Sequence, residues 1–315
     1  AGEFRPWHMS SSEYDRLKRL SKSLASLLRH ANGDIGRRVM ESGVYQEGWI
    51  SVDRLLNFKR FRRYSEADVL RVARGELGKI RFKTKAHVKA SGRTEYLLAA
   101  THGWSKKANV TVESHYEPVD VDQLPERLYH GTDDIKARCM ILDEAETSYK
   151  GILCGERLAQ VVREQPGVDV SYRPLERQNI YFVDRIPQRS EEISGLRGDF
   201  EALIAVNPRR CVEEFGISWY KSDAPGCWMA GTDEDIPRCC ITAIYDIVAY
   251  RRSAELSRAP LLGLLPWWND WLREQQRHQR FQDAYRGAGF ARQAAEERKQ
   301  REAEAAEARR RADEE

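Results

Sequence analysis

Residues 65–101, SEADVLRVARGELGKIRFKTKAHVKASGRTEYLLAAT, change their hydrophobic period halfway. Ser65 is placed to cap a helix, with Glu66 and Asp68 in its first turn and apolar residues following at helical spacing. After this helix the pattern alternates. Ile80, Phe82 and Thr84 share one face of a strand, and Arg81, Lys83 and Lys85 share the other. TEYLLAAT, 94–101, is the candidate returning strand. Upstream, YDRLKRLSKSLASLLRH (14–30) sets Leu17, Leu20, Leu24 and Leu27 in one apolar stripe of a helix. Gly33 and Asp34 mark a loop, and residues 35–40 form a short helical candidate. In GWISVDRLLNF (48–58), Gly48 ends one element and Ser51 can cap a helix carrying Val52, Leu55 and Leu56. Three helices followed by a basic hairpin have the plan of a winged helix.

Working outward, residues 108–127 read as a linker, with Pro118, Pro125 and the acidic Asp120 and Asp122. Short strand candidates follow: RLYHGT, NIYFVD (179–184), FEALIAVN (200–207), ISWY (217–220), GCWMAG (226–231) and ITAIYDIVAY (241–250). They alternate with turns rather than with helices, which predicts an antiparallel or mixed sheet and not a doubly wound one. GxGxxG and GxxxxGK[ST] are both absent, which argues against the commonest Rossmann and P-loop sites. The expected class is therefore α+β, with lobes at 14–117 and 125–250 and a helical extension at 251–315. LLGLLPWWNDWL (261–272) is expected to pack on the second lobe, or else to form a docking surface. Residues 291–315 read as a solvated, fraying helix.

Charge divides along the same lines. Residues 1–117 carry 23 Lys/Arg against 13 Asp/Glu, whereas 118–250 carry 15 against 24. A basic lobe beside an acidic one points to a polyanionic partner for the first, or to attraction between the lobes. No run of 18 apolar residues occurs and the N-terminal stretch lacks an apolar core, so neither a membrane span nor a secretion signal is expected. The six cysteines include no CxxC pair and suit thiols in a reducing compartment; an intracellular protein, cytoplasmic or nuclear, is expected. No His/Cys/carboxylate cluster has metal-ligand spacing.

Few residues stand out chemically. Arg29 and His30 end the first helix, where cations complement the helix dipole and where they could equally grip an anion. Tyr129-His130-Gly131-Thr132 is a strand running into a bend; its backbone N–H groups and histidine could receive a ribose or pyrophosphate, or it is an ordinary turn. Arg177, before NIYFVD, can neutralise a phosphate or hold a salt bridge. Ser222 lies at a strand-to-turn boundary without the surround of a hydrolase elbow. His102, in a loop with Lys106 and Lys107, suits an RNA backbone contact. Trp49 and Trp104 could stack on bases or fill the core.

Taken in order, several of these segments resemble the NAD-dependent RNA 2'-phosphotransferases, the tRNA splicing enzymes. LSKSLASLLRH (20–30), GWISVDRLL (48–56), KIRF (79–82) and LYHGT (128–132) carry the resemblance. RPLERQNIYFV (173–183) and GISWYKSDAPGCWMAG (216–231) look like divergent later blocks. The resemblance implies a winged-helix lobe joined to an ADP-ribosyltransferase-like lobe, NAD+ as co-substrate and 2'-phosphorylated spliced tRNA as partner, in a protein expected to be monomeric. It implies that Arg29 and His30 hold the 2'-phosphate and that Arg177 stabilises the second transition state. It further implies that His130, Gly131 and Thr132, with Ser222 and Gly226, contact NAD+. The family shows Ile-Arg-Ala before Gly-His-Ser; here LLAATHGWS puts Leu98 where that arginine would fall, leaving Lys106 or Arg93 to replace it. Asn179-Ile180-Tyr181 replaces a His-Val-His. These departures keep two alternatives open: a catalytically impaired RNA-binding homologue, and an ADP-ribosyltransferase acting on another phosphate acceptor.

Overall fold

A computed structural model describes residues 9–31, 33–41, 45–141, 151–155, 157–158, 177–186, 195–196, 200–255 and 262–277. Residues 173–176 and the charged tail at 291–315 lie outside them. The chain forms two compact units, Ala1–Gly263 and Leu264–Glu315.

The first unit opens with α1, Ser11–His30, capped by the Ser10 hydroxyl, which accepts from the Glu13 N–H. Its leucine stripe is buried as the spacing predicts, and it ends at Ala31 in the left-handed region, whose N–H reaches the Leu27 carbonyl. Then come α2 (Gly33–Glu41), β1 (Tyr45–Gln46), β2 (Trp49–Ser51), α3 (Val52–Leu56) and α4 (Glu66–Ala73). Ser51 caps α3, and Ser65 caps α4 in a reciprocal capping box with Asp68. Arg16 donates two short bonds, 2.7 and 2.6 Å, to the same Asp68 carboxylate and so ties α1 to α4. These bonds hold the Asp68 carboxyl down at about 2. The hairpin β3 (Phe82–Val88) and β4 (Thr94–Ala100) completes a four-stranded sheet ordered β1-β2-β4-β3. The period-2 reading holds only where β3 begins: Phe82 is buried and Lys85 exposed, but Thr84 on the Phe82 face is exposed as well, and Leu98, Ala99 and Ala100 are buried in succession on β4.

Next come β5 (Leu128–Thr132), α5 (Asp134–Ile141), β6 (Gly151–Ile152), β7 (Tyr181–Val183) and β8 (Ala202–Val206). They are followed by α6 (Pro208–Phe215), β9 (Trp219–Lys221), β10 (Cys227–Ala230), β11 (Ile236–Pro237), β12 (Ile241–Asp246) and α7 (Ile247–Glu255). Six of these strands form one sheet, β12-β8-β5-β7-β10-β9, with every neighbouring pair antiparallel. β6 and β11 pair separately. The class is thus α+β, with antiparallel sheets and helices.

Four local expectations change. Gly33 and Asp34 open α2 rather than marking a loop. The segment 241–250 is half strand, half helix, because the Asp246 carboxylate receives the Ala249 N–H and starts α7. Asn207-Pro208 begins a helix that the strand pattern concealed: Asn207 accepts from the Arg210 N–H, and Pro208 needs no donor in a first turn. Residues 108–127 are not a bare linker, since Ala108, Val110 and Val112 join the core under the first sheet. That core also takes in Tyr181, Tyr220, Ala224, Cys227 and Met229, so the two sheets share apolar packing. Cys154, Cys211, Cys227 and Cys240 are buried thiols, Cys239 is exposed, and none of them is bridged.

In the second unit, residues 266–277 are helical. Trp268 and Trp271, three residues apart on one face, stack at 4.8 Å. No helix among the described residues is long and apolar enough to cross a membrane.

Candidate functional site: a cluster of arginines beside a cavity

The C-terminal end of α1 carries Arg29 to a meeting point of the two sheets. Its carbonyl accepts the Ser105 N–H at 2.7 Å, and Ser105 also bridges antiparallel to Arg177. This loop approaches closely because Gly103 is a glycine. Its φ is +86°, and a Cβ there would stand 3.2 Å from Arg29 Cδ. The Gly103 N–H donates to Tyr181 Oη at 2.8 Å. The Arg177 guanidinium lies over the Tyr181 ring, 5.3 Å from its centroid. One tyrosine therefore holds both the loop beside Arg29 and the arginine ahead of β7.

His102 lies at the centre of this arrangement. Arg29 Nη2 is 3.4 Å from its Nε2, and Thr101 Oγ1 is 2.8 Å from its Nδ1. A guanidinium can only donate, so Nε2 accepts and Nδ1 carries the proton toward Thr101. Burial pushes the His102 pKa well below 6.5, and Arg29, Arg177, Arg81 and Lys79 press it the same way. His102 is accordingly neutral. Burial also lowers Arg29, to about 10, against the raising influence of Tyr181, with Arg177 and Arg81 adding to the lowering. Arg29 Nε is buried without a hydrogen bond, and among the described residues no carboxylate pairs with this side chain. A desolvated cation facing further cations is unfavourable by itself and is relieved by an anion.

Arg81 immediately precedes β3. The Thr101 N–H donates to its carbonyl at 3.0 Å, which makes the two residues cross-strand neighbours with side chains on one face. That face is opposite the one on which Phe82 and Ala100 enter the core. Arg81 was visible in the sequence as part of the basic strand face; its approach to His102 depends on a pairing with Thr101 that no local pattern encodes. Leu98 is fully buried and pairs with Ile50 and Thr84, so its side chain belongs to the core. Arg93 is held at the far end of the hairpin by Asp53, 3.0 Å away, and does not reach the cluster.

On the other side of Arg177 is a cavity of about 180 Å³. Its lining includes His130, Gly131, Thr132, Asn179, Tyr181 and Phe200. His130 Nδ1 donates to the Tyr181 carbonyl at 2.8 Å, which leaves Nε2 as the acceptor nitrogen. Asn179 Nδ2 donates to the Ala230 carbonyl, while its Oδ1 is buried with no hydrogen bond among the described residues. Such an atom can accept from a water or from a bound molecule.

Of the residues singled out in the sequence, Arg29 and Arg177 come together, and Arg177 lines the cavity with His130, Gly131 and Thr132. His30 ends α1, half-buried. Ser222 and Gly226 do not line the cavity. The Ser222 hydroxyl donates to the Thr101 carbonyl at 3.1 Å and fastens the β9–β10 turn to the first sheet. Gly226 serves that turn with a φ of +70°. Sequence reasoning gave His102 a contact to the RNA backbone from a loop, whereas it is buried against Arg29, and it read Tyr181 only as a departure from a motif; both contacts join residues 73 or more positions apart.

The chain is similar to known proteins over part of its length. Residues 15–145 match the model of the RNA 2'-phosphotransferase, Tpt1 / KptA family. A probable RNA 2'-phosphotransferase of Hyperthermus butylicus is 25% identical over 229 residues, covering 71% of this chain and 78% of the relative. The chain is thus a family-level match to the RNA 2'-phosphotransferases, at the low identity of a divergent sequence.

Proposed function

We propose that this protein removes a 2'-phosphate from RNA, with spliced tRNA as substrate and NAD+ as co-substrate. Within the first unit, residues 14–117 serve as the RNA lobe and 125–250 as the NAD+ lobe. The observation that carries this reading is Arg29: a half-buried guanidinium whose Nε is buried without a hydrogen bond, with no carboxylate partner among the described residues, near Arg177 and Arg81 beside a cavity that Asn179 lines.

In the first step an oxygen of the RNA 2'-phosphate bonds to C1'' of the NAD+ ribose. The bond from C1'' to the nicotinamide nitrogen breaks, and its electron pair leaves with neutral nicotinamide. Arg29 and His30 hold the phosphate, and Arg81, on the face of the sheet opposite Leu98, adds a further cation. Neutral His102 orients Arg29 without adding charge. In the second step the ribose 2''-hydroxyl attacks phosphorus and gives up its proton. The bond from phosphorus to the RNA 2'-oxygen breaks, and that oxygen takes a proton to become the 2'-hydroxyl. The other product is ADP-ribose 1'',2''-cyclic phosphate. Arg177, at the boundary of cluster and cavity, stabilises the charge that builds on the phosphoryl oxygens.

A second reading, RNA binding without turnover, is favoured by the apolar placement of Leu98. Incubation with an oligonucleotide bearing an internal 2'-phosphate, with and without NAD+, separates the two. NAD+-dependent loss of phosphate with the cyclic product supports the enzyme; binding without turnover supports the relative. Arg177→Ala is expected to accumulate the ADP-ribosylated RNA, and full turnover by that variant would remove Arg177 from the mechanism.

A further inference from the structure

The outer face of the first sheet carries an aromatic column that the proposed reaction does not use. Trp104 is fully buried at its base. His115 stacks on Trp104 at 4.9 Å and 22°, and Trp49 stacks on the other side of His115 at 5.6 Å and 29°. Gly48 makes room for the column: its φ is +84°, and a Cβ there would come within 2.4 Å of His115 Nε2. Trp49 is the half-buried outer end. Register places Trp49 and Lys83 on either side of the buried Ala99, and Lys83 Nζ lies 5.6 Å from the Trp49 ring centroid. Lys85 Nζ lies 4.2 Å from the Trp49 ring centroid, and Lys83 Nζ lies 3.8 Å from that of Tyr116.

The two lysines differ. Lys83 is balanced by Asp223 at 3.3 Å. Lys85 is exposed and has no carboxylate partner among the described residues. The column also adjoins the arginine cluster. Tyr116 donates to the Thr101 carbonyl at 2.9 Å, and the side chain of that same Thr101 bonds His102. A preformed stack with a cationic edge, on the basic half of the chain, complements a base and its phosphate.

We propose that Trp49 is a stacking platform for one unpaired nucleobase of the RNA, next to the nucleotide whose 2'-phosphate enters the arginine cluster. On binding, the base takes the ring face that Lys85 now covers, and the Lys85 ammonium moves to the adjoining phosphate. The inference rests on the reading of that cluster as an RNA phosphate site.

The test is a binding cycle without NAD+. Fluorescence anisotropy would follow oligonucleotides carrying one internal 2'-phosphate, with an abasic residue placed in turn on either side of it. For the unmodified protein, one of the two abasic positions is expected to weaken binding by about tenfold. Trp49→Leu is expected to weaken binding of the intact oligonucleotide by the same factor and to be insensitive to the abasic residue. Lys85→Ala should reduce the slope of log affinity against log salt by about one phosphate contact, leaving the column itself untouched. Equal binding of both abasic oligonucleotides, or a full abasic penalty retained in Trp49→Leu, overturns the proposal. If Trp49→Leu does not fold, an unchanged salt slope in Lys85→Ala overturns it. Coupling between Trp49 and the base in a protein that never removes the phosphate would keep the platform and end the enzymatic reading.

Discussion

Two histidines should make this protein lose stability in mild acid. Both are held neutral, for related reasons. His102 is buried among Arg29, Arg177, Arg81 and Lys79, and His115 lies in its aromatic column near Lys83 and Lys85, with Asp223 partly opposing them. Burial takes the His115 pKa down to about 4 and that of His102 well below 6.5. The sign follows from proton counting. Below pH 6.5 the unfolded chain protonates each imidazole while the folded chain does not, so the unfolded state binds more protons and stability falls as pH falls. The contribution is complete above the unfolded pKa and is lost between about pH 6.5 and the folded values. At pH 5 His115 withdraws about 2 kcal/mol relative to pH 7.5, and His102 adds to the loss in the same direction. Urea unfolding at half-unit pH intervals reads this directly, because the midpoint moves while the denaturant slope stays constant. His115→Asn should remove about 2 kcal/mol of the acid sensitivity between pH 6.5 and 5, and His102→Asn should reduce it in the same direction. Stability that is level across that range, or variants that titrate like the unmodified protein, would refute the assignment of both rings as neutral and with it the role given to His102 in orienting Arg29.

Two substitutions probe the site in other ways. Arg29→Met removes a desolvated cation that faces other cations, so the melting temperature without ligand should hold or rise, while turnover falls by roughly thirtyfold to several-thousandfold. A several-degree drop in melting temperature with turnover intact would show that Arg29 is structural. In Gly131→Ala the new methyl would meet Leu196 Cδ2 at 2.7 Å and Phe200 Cγ at 3.0 Å, beside the cavity. Such crowding costs about 1–3 kcal/mol and should weaken NAD+ binding, as followed by melting curves and calorimetric titration; an unchanged result in both would mean that the bend is ordinary.

Local rules written into the chain specify several of its elements. Leu17, Leu20, Leu24 and Leu27 specify the buried stripe of α1, Ser51 and Ser65 specify two helix starts, and alternation from Phe82 specifies which side of β3 faces the core. These are interactions between residues a few positions apart, so a single sequence displays them. The same holds for the arginine that ends α1 and for the His-Gly-Thr bend. What the sequence could not display is which distant groups those residues would meet. Arg93 and Lys106 are nearer in the chain to the position of the absent arginine, yet the hairpin register sends Arg93 to Asp53 and brings Arg81 beside Thr101. Tyr181 looked like a lost histidine until the packing of β7 against the Gly103 loop gave its hydroxyl a buried N–H to accept. A charge or hydroxyl acquires its role from the dielectric and partners around it, and those are supplied by strands that come together only when the chain has folded.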